Sequence, residues 1–183
     1  MRRYTVHVTS GPTLLSPLLG AYRVRLAPSR WWWWWWWWSP SPLYVVAMRN
    51  CPLPPPPRLR FDVKGCTAGR RARGEGTLKD VNLVEMADEI LPRRLPWRRR
   101  RAVEDALERD VAFLEAENII DYSVLLTLAR GRRGQDRRPV PGSAEVALPP
   151  PYSSMQLTII DYLQHYTPRK VLETWLRGSL QGR

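Results

Sequence analysis

Apolar positions along the chain form short β-type runs in the first third, a helical stripe in the middle, and two further β-type runs after it. Leu18 to Leu26 (LLGAYRVRL) and Leu43 to Met48 (LYVVAM) are rich in the branched and aromatic residues that suit strands, and are expected to pair as neighbours. Leu59 to Lys64 (LRFDVK) alternates Leu59, Phe61 and Val63 with polar residues, the signature of a half-buried strand, and Gly65 ends it. From Ala102 the period changes: Val103, Leu107, Val111 and Leu114, spaced four, four and three apart, lie on one face of a helix. Tyr122 to Leu128 (YSVLLTL) and Met155 to Ile160 (MQLTII) read as the two strands of one hairpin, joined by a long mobile basic loop over residues 130–154. Beyond Tyr162 a weaker helical character runs to Leu180, interrupted at Pro168 and Gly178.

Three stretches fit none of these periods. Trp31 to Trp38 is an unbroken run of eight tryptophans within a low-complexity segment spanning residues 28–42. It has no single face to bury, so it reads as an insert in a loop in preference to an interfacial membrane anchor. Residues 52–57 form a proline-rich link. Arg93, Arg94 and Arg98 to Arg101 cluster at the N-terminal flank of the expected helix. Cations are unfavourable at that end of the helix dipole, which tilts the reading from a solvated charge run toward a phosphate-binding patch.

Composition narrows the class. With 183 residues, the chain has room for one domain or part of one. Its 29 Lys and Arg against 17 Asp and Glu give a net charge of +12, which draws phosphates of nucleic acid, anionic lipid or nucleotide alike. Two cysteines, Cys51 and Cys66, support neither a disulfide framework nor a zinc site and fit a reducing, cytosolic setting. The opening MRRYTVHVTS has no apolar signal core, and no stretch reaches the roughly 20 apolar residues that cross a bilayer, so a soluble or peripheral protein is expected.

The chemistry lies at the ends of the expected hairpin. Asp121 immediately precedes its first strand and Asp161 immediately follows its second, so antiparallel pairing brings both carboxylates to one end. Two carboxylates placed so suit Mg²⁺ held between protein and substrate phosphates, with one of them left to orient or deprotonate an attacking hydroxyl. Acidic residues also end strands in ordinary turns, and position alone leaves both readings open.

The wording around these positions resembles the phosphatidylinositol phosphate kinase family. Thr13 to Val24 (TLLSPLLGAYRV) is similar to the family's TLL..FLG.YRV segment, and Leu43 to Asn50 to its strand ending in VM.N. Phe61 to Arg70 (FDVKGCTAGR) resembles the signature FDLKGS...R, with Val63 and Cys66 in place of Leu and Ser. Thr77 to Leu83 (TLKDVNL), Phe113 to Leu126 (FLEAENIIDYSVLL) and Ile159 to Glu173 (IIDYLQHYTPRKVLE) follow in the family's order.

The resemblance implies an α+β fold with the protein-kinase-like two-lobe architecture, incomplete over residues 1–183 and carrying low-complexity inserts. It implies that Asp121 acts at the transferring phosphate, that Asp161 ligates Mg²⁺, and that Lys64 faces the phosphates. Asp62, on the same strand face, is expected to position Lys64. Arg70 matches the signature arginine, whose forked guanidinium suits a lipid phosphate, and Cys66 replaces a good hydroxyl donor with a weak one. Glu173 falls where 5-kinases carry Glu. The family's dibasic pair is represented by Lys170 with Arg169 before it, a membrane-contacting charge in altered register.

The implied cofactors are ATP and Mg²⁺, and the implied partners a phosphoinositide lipid and an anionic membrane surface, without specific nucleic acid. The implied location is cytoplasmic and peripheral, at the inner face of the plasma membrane or an endomembrane. Around TLKDVNL the sequence is nearer the kinases that act on phosphatidylinositol 4-phosphate, and around YTPRKVLETW nearer those that act on the 3-phosphate; the former is narrowly preferred. The family's Gly-rich strand pair and ATP-binding lysine precede its first matched segment, and nothing in MRRYTVHV replaces them. Little or no lipid kinase activity by this polypeptide alone is therefore expected. A phosphoinositide-binding pseudokinase and a basic nucleic-acid binder stand as the alternatives.

Overall fold

The structure is a computed structural model that describes residues 2–25, 43–50, 59–74, 76–92, 95–130, 142–148 and 151–164. The tryptophan run, the proline-rich link, Arg93, Arg94, Lys170 and Glu173 lie outside the described residues. The elements in chain order are α1 (Arg2–Thr9), β1 (Leu18–Val24), β2 (Leu43–Met48), β3 (Leu59–Val63), β4 (Leu78–Lys79), α2 (Asp80–Ile90), α3 (Trp97–Ala116), β5 (Ser123–Ala129), β6 (Ala144–Ala147) and β7 (Ser154–Ile160). Strands and helices are mixed, as an α+β class requires. No helix among the described residues is long and apolar enough to cross a membrane.

β1 and β2 pair antiparallel into a two-stranded ribbon, as their composition predicts. The other strands form a five-stranded sheet in the order β4-β3-β5-β7-β6. β5 and β7 pair antiparallel from Ser123 opposite Ile160 to Ala129 opposite Ser154. They do not, however, form a simple hairpin. The connection read as one long loop contains β6, which pairs along the far edge of β7 and buries Val146, with Leu148 buried just beyond it. Those two apolar residues supply the burial that draws the segment into the sheet.

Register places Val63, Val124 and Ile159 in one row across the sheet, with Phe61, Leu126 and Leu157 in the next row of that face. One end of the face builds a cluster of Phe61, Leu126, Leu128, Val146 and Met155 with Ile90 of α2. The other end builds one of Leu14, Leu15 and Ile159 with Ala106 and Leu114 of α3.

α3 begins five residues earlier than the apolar stripe indicates, at Trp97 after Pro96, so Arg98 to Arg101 are its first turn and not a flank. Two of these arginines are offset within the helix, Arg100 by Glu104 at 2.7 Å and Arg101 by Asp105 at 3.0 Å. Such i,i+4 pairs, together with arginine's good helix propensity, offset part of the adverse dipole placement. The buried face is also rotated from the expected one. Ala106, Asp110 and Leu114 are buried, whereas Val103, Leu107 and Val111 lie at its margins.

Asp110 explains the rotation. Its wholly buried carboxylate accepts hydrogen bonds from the amide of Leu14 at 2.5 Å and the hydroxyl of Thr13 at 2.8 Å, and meets His7 Nε2 at 2.6 Å. These bonds fasten α1 and the segment after it to α3. From there Leu15 runs parallel to the end of β7, with Ser16 N donating to the carbonyl of Ile159 at 3.0 Å.

Candidate active site

Three strand termini meet at one end of the five-stranded sheet: the end of β3, the start of β5 and the end of β7. Because Val63 is opposite Val124 and Ser123 opposite Ile160, the residues just past those termini are neighbours. Lys64 and Asp161 follow directly on β3 and β7, and Asp121 stands two residues before β5. Pairing between strands distant in sequence thus brings together three of the residues singled out from the sequence.

Asp121 and Asp161 both have left-handed backbone conformations, with φ of 65° and 62°. Aspartate is among the side chains that adopt this region most readily, which suits both residues to the turns at the strand ends. Asp121 is about half exposed and Lys64 is 28% exposed at its side chain. The ammonium of Lys64 donates to the Asp121 carbonyl at 3.0 Å and forms an ion pair with its Oδ1. An ammonium has three donors, so one remains to meet a phosphate oxygen. Asp161 is exposed and has no ion-pair partner among the described residues.

The loop after β3 is organised by a residue the sequence reading did not single out. Asp80, 5% exposed at the first turn of α2, accepts three consecutive amides through Oδ1: Lys64 at 3.0 Å, Gly65 at 2.8 Å and Cys66 at 3.2 Å. Gly65, at φ 74°, makes the turn that aims these amides at one point. The other carboxylate oxygen accepts from Arg70 Nε at 2.8 Å. Burial pushes the Asp80 carboxyl up, but the Arg70 guanidinium and the amides of Lys64 and Gly65 outweigh it and hold the group below the usual carboxylate range.

Two expectations from the sequence meet different geometry here. The Arg70 guanidinium turns inward: beyond Asp80 it donates to the Asp62 carbonyl at 2.6 Å and lies 3.3 Å from the Asp62 carboxylate, with its side chain 16% exposed. Burial lowers the Arg70 pKa, but its bonds to Asp80 and the charges of Asp62 and Asp80 reverse this and raise it overall. Asp62 accordingly engages Arg70, while Lys64 is held by Asp121 and, through its amide, by Asp80. The remaining Asp62 oxygen is buried with no hydrogen-bond partner among the described residues.

The signal that could have found Asp80 was present in the sequence. An acid sits at a helix N-terminus, followed by Leu83, Met86 and Ile90 at helical spacing. Asn82, two residues on, takes the amide of Ala72 on its side-chain oxygen at 2.8 Å and so closes the same loop.

No cluster of three or more His, Cys, Asp or Glu able to hold a metal occurs among the described residues. Mg²⁺ needs only one or two carboxylates when substrate phosphates and water complete its shell. The hard oxygens of Asp161 and Asp121 at one sheet end fit that donor set.

A lysine paired with one carboxylate, and a second carboxylate at the same end of the sheet, is an arrangement suited to phosphoryl transfer. Comparison with known proteins gives the same direction. The family profile for phosphatidylinositol-4-phosphate 5-kinase matches residues 1–148. The chain belongs to this family. A phosphatidylinositol 4-phosphate 5-kinase-like protein of Mus musculus is 32% identical over 136 residues, covering 69% of this chain and 30% of its own length. A putative 1-phosphatidylinositol 3-phosphate 5-kinase of Drosophila melanogaster is 28% identical over 173 residues, covering 92% of this chain and 8% of its own. A 1-phosphatidylinositol-3-phosphate 5-kinase of Arabidopsis thaliana is 28% identical over 175 residues, with 93% and 8% covered. The chain thus spans a minor part of each of these relatives. As a phosphoinositide kinase family member it has relatives named for both the 4-phosphate and the 3-phosphate lipid.

Proposed function

We propose that this chain carries the phosphoryl-transfer site of a kinase that moves the γ-phosphate of ATP to the inositol ring of phosphatidylinositol 4-phosphate, giving phosphatidylinositol 4,5-bisphosphate. The observation that carries the proposal is the meeting of Lys64, Asp121 and Asp161 at one end of the sheet. In the transfer, the inositol hydroxyl oxygen bonds to the γ-phosphorus as the bond to the bridging oxygen of ATP breaks. The electron pair leaves with ADP, and the hydroxyl proton needs an acceptor. In this reading the Asp121 carboxylate orients that hydroxyl and takes the proton. In the same reading the third donor of Lys64 offsets charge on the phosphoryl oxygens.

Asp161 would hold Mg²⁺, which when bound neutralises phosphate oxygens. Around this site the family's two-lobe kinase arrangement is the architecture we infer. A peripheral position on the cytoplasmic face of a membrane accords with the net charge of +12 and with the exposed Arg98 and Arg99 at the start of α3. Lys170 and Glu173 fall to the lipid-facing segment in this reading.

The 4-phosphate lipid is favoured by the TLKDVNL segment and by the description of the matching family. The 3-phosphate lipid is favoured by the naming of the Drosophila and Arabidopsis relatives and is the second reading. The test is ATP-dependent labelling of vesicles that contain one lipid or the other. The deciding quantity is dependence on Asp121, not the rate. Label on the 4-phosphate lipid that disappears in Asp121→Asn is the expected result. Preferential labelling of the 3-phosphate lipid would move the substrate to the second reading, and label indifferent to Asp121→Asn would remove the site.

A further inference from the structure

Three consecutive amides aimed at one point form a nest that binds anions. In this chain the nest of Lys64, Gly65 and Cys66 is filled from within by Asp80 Oδ1, at 3.0, 2.8 and 3.2 Å. The occupying carboxylate is itself nearly inaccessible, and Arg70 covers its second oxygen at 2.8 Å. A phosphate therefore cannot take this nest, and the Arg70 guanidinium beside it pairs with the occupying carboxylate.

What the arrangement does is fix a direction. Lys64 lies one residue beyond the last paired residue of β3, where the ladder ends. A four-carbon side chain leaving an untethered backbone would sample many rotamers. With its amide fixed by a buried anion on α2, the side chain leaves the strand end toward β5 and places its ammonium on Asp121. The same carboxylate joins α2 to the strand end, and Asn82 of that helix closes the loop at Ala72.

We propose that Asp80 is a positioning residue for the transfer site: by filling the amide nest of residues 64–66 under the Arg70 counter-charge, it aims Lys64 at Asp121. Arg70 is then the counter-charge of Asp80. The role rests on the phosphoryl-transfer reading given above, but the geometry it predicts is measurable without ATP or lipid.

The test follows acetylation of Lys64 by a small acylating reagent, read by peptide mass spectrometry and referenced to the same lysine in the urea-unfolded chain. Asp80→Asn keeps the side-chain shape but presents an amide group where Arg70 requires an acceptor. Lys64 is expected to acetylate about tenfold faster in this variant, the factor set by losing one charge-assisted hydrogen bond, while cooperative unfolding persists. An unchanged Lys64 rate in a folded Asp80→Asn chain would overturn the role. If the variant does not fold, hydrogen exchange in the unmodified chain decides instead. The amides of Lys64, Gly65 and Cys66 are expected to be protected, and exchange at the unfolded rate would overturn the proposal. Failure of the kinase reading is separable: transfer indifferent to Asp121→Asn, with Lys64 still released by Asp80→Asn, removes the kinase and keeps the positioning. Transfer that needs Asp121, with Lys64 indifferent to Asp80, does the reverse.

Discussion

Replacing Asp110 with Ala should release the whole N-terminal segment from α3. The carboxylate is 0% exposed and has three partners: the Leu14 amide, the Thr13 hydroxyl and the His7 ring. Deleting a partner of a hydrogen bond to a charged group costs roughly 1.5–3 kcal/mol. His7 and Thr13 share Oδ1, so the three do not sum independently. A total of about 4 kcal/mol results, within the roughly 3–5 kcal/mol range for breaking a buried charged network. With a urea m-value of about 2 kcal/mol/M for a chain of this size, the midpoint should fall by about 2 M. Circular dichroism is the suitable probe, since a tryptophan signal would be dominated by the run of eight. Asp110→Asn retains one acceptor and should lose about half as much. In a double-mutant cycle, His7→Ala should couple to Asp110→Ala, because the ring both meets the carboxylate and stacks on Phe113 at a 4.2 Å centroid distance. A midpoint shift below about 0.5 M at unchanged m would show that Asp110 does not hold the segment, and the anchoring argument would fall.

Two further outcomes are expected. Asp80 is held below the ordinary carboxylate range, so its contribution to stability is fully present above the unfolded value of about 4 and is lost only as pH falls through the lower folded value. The difference in melting temperature between the unmodified chain and Asp80→Asn should therefore stay constant from pH 7 to about 4 and shrink at lower pH; shrinkage already between pH 7 and 5 would contradict the assigned network. Gly142 sits at φ 80°, and an added Cβ would run into the Leu15 carbonyl oxygen and the Pro17 ring. Gly142→Ala should accordingly cost about 2–3 kcal/mol in urea unfolding, and a cost under about 0.5 kcal/mol would mean that the Leu15 segment is not pressed against the β6 entry.

Much of the candidate site could be read from the sequence because it depends on strand ends. Asp121 and Asp161 bracket two apolar runs, and antiparallel pairing of those runs is enough to bring them to one end. The strands themselves follow from local composition: β1, β2, β3, β5 and β7 all coincide with runs of branched and aromatic residues. β6 was hidden because AEVA is short and sits among prolines, glycines and arginines; it becomes a strand only because β7 offers an open edge and the core has room for Val146.

The polar core is what tertiary structure alone decided. Along the sequence, Asp80, Asp110 and Arg70 look like surface residues, because charge at a single position carries no periodic signal. Their burial depends on partners far along the chain: Asp110 on residues 7–14, and Asp80 on the loop at 64–70. The rotation of α3 follows from the same cause. An apolar stripe of Val103, Leu107 and Val111 sets the period, but the buried charge at Asp110 must face its donors and therefore sets the phase. By itself the sequence determined the strands β1, β2, β3, β5 and β7, the period of α3 and the carboxylates that flank β5 and β7, since those depend on neighbouring residues. Only the folded chain decided which charges are buried and what they hold, because a charge leaves water only where distant groups have been brought together to receive it.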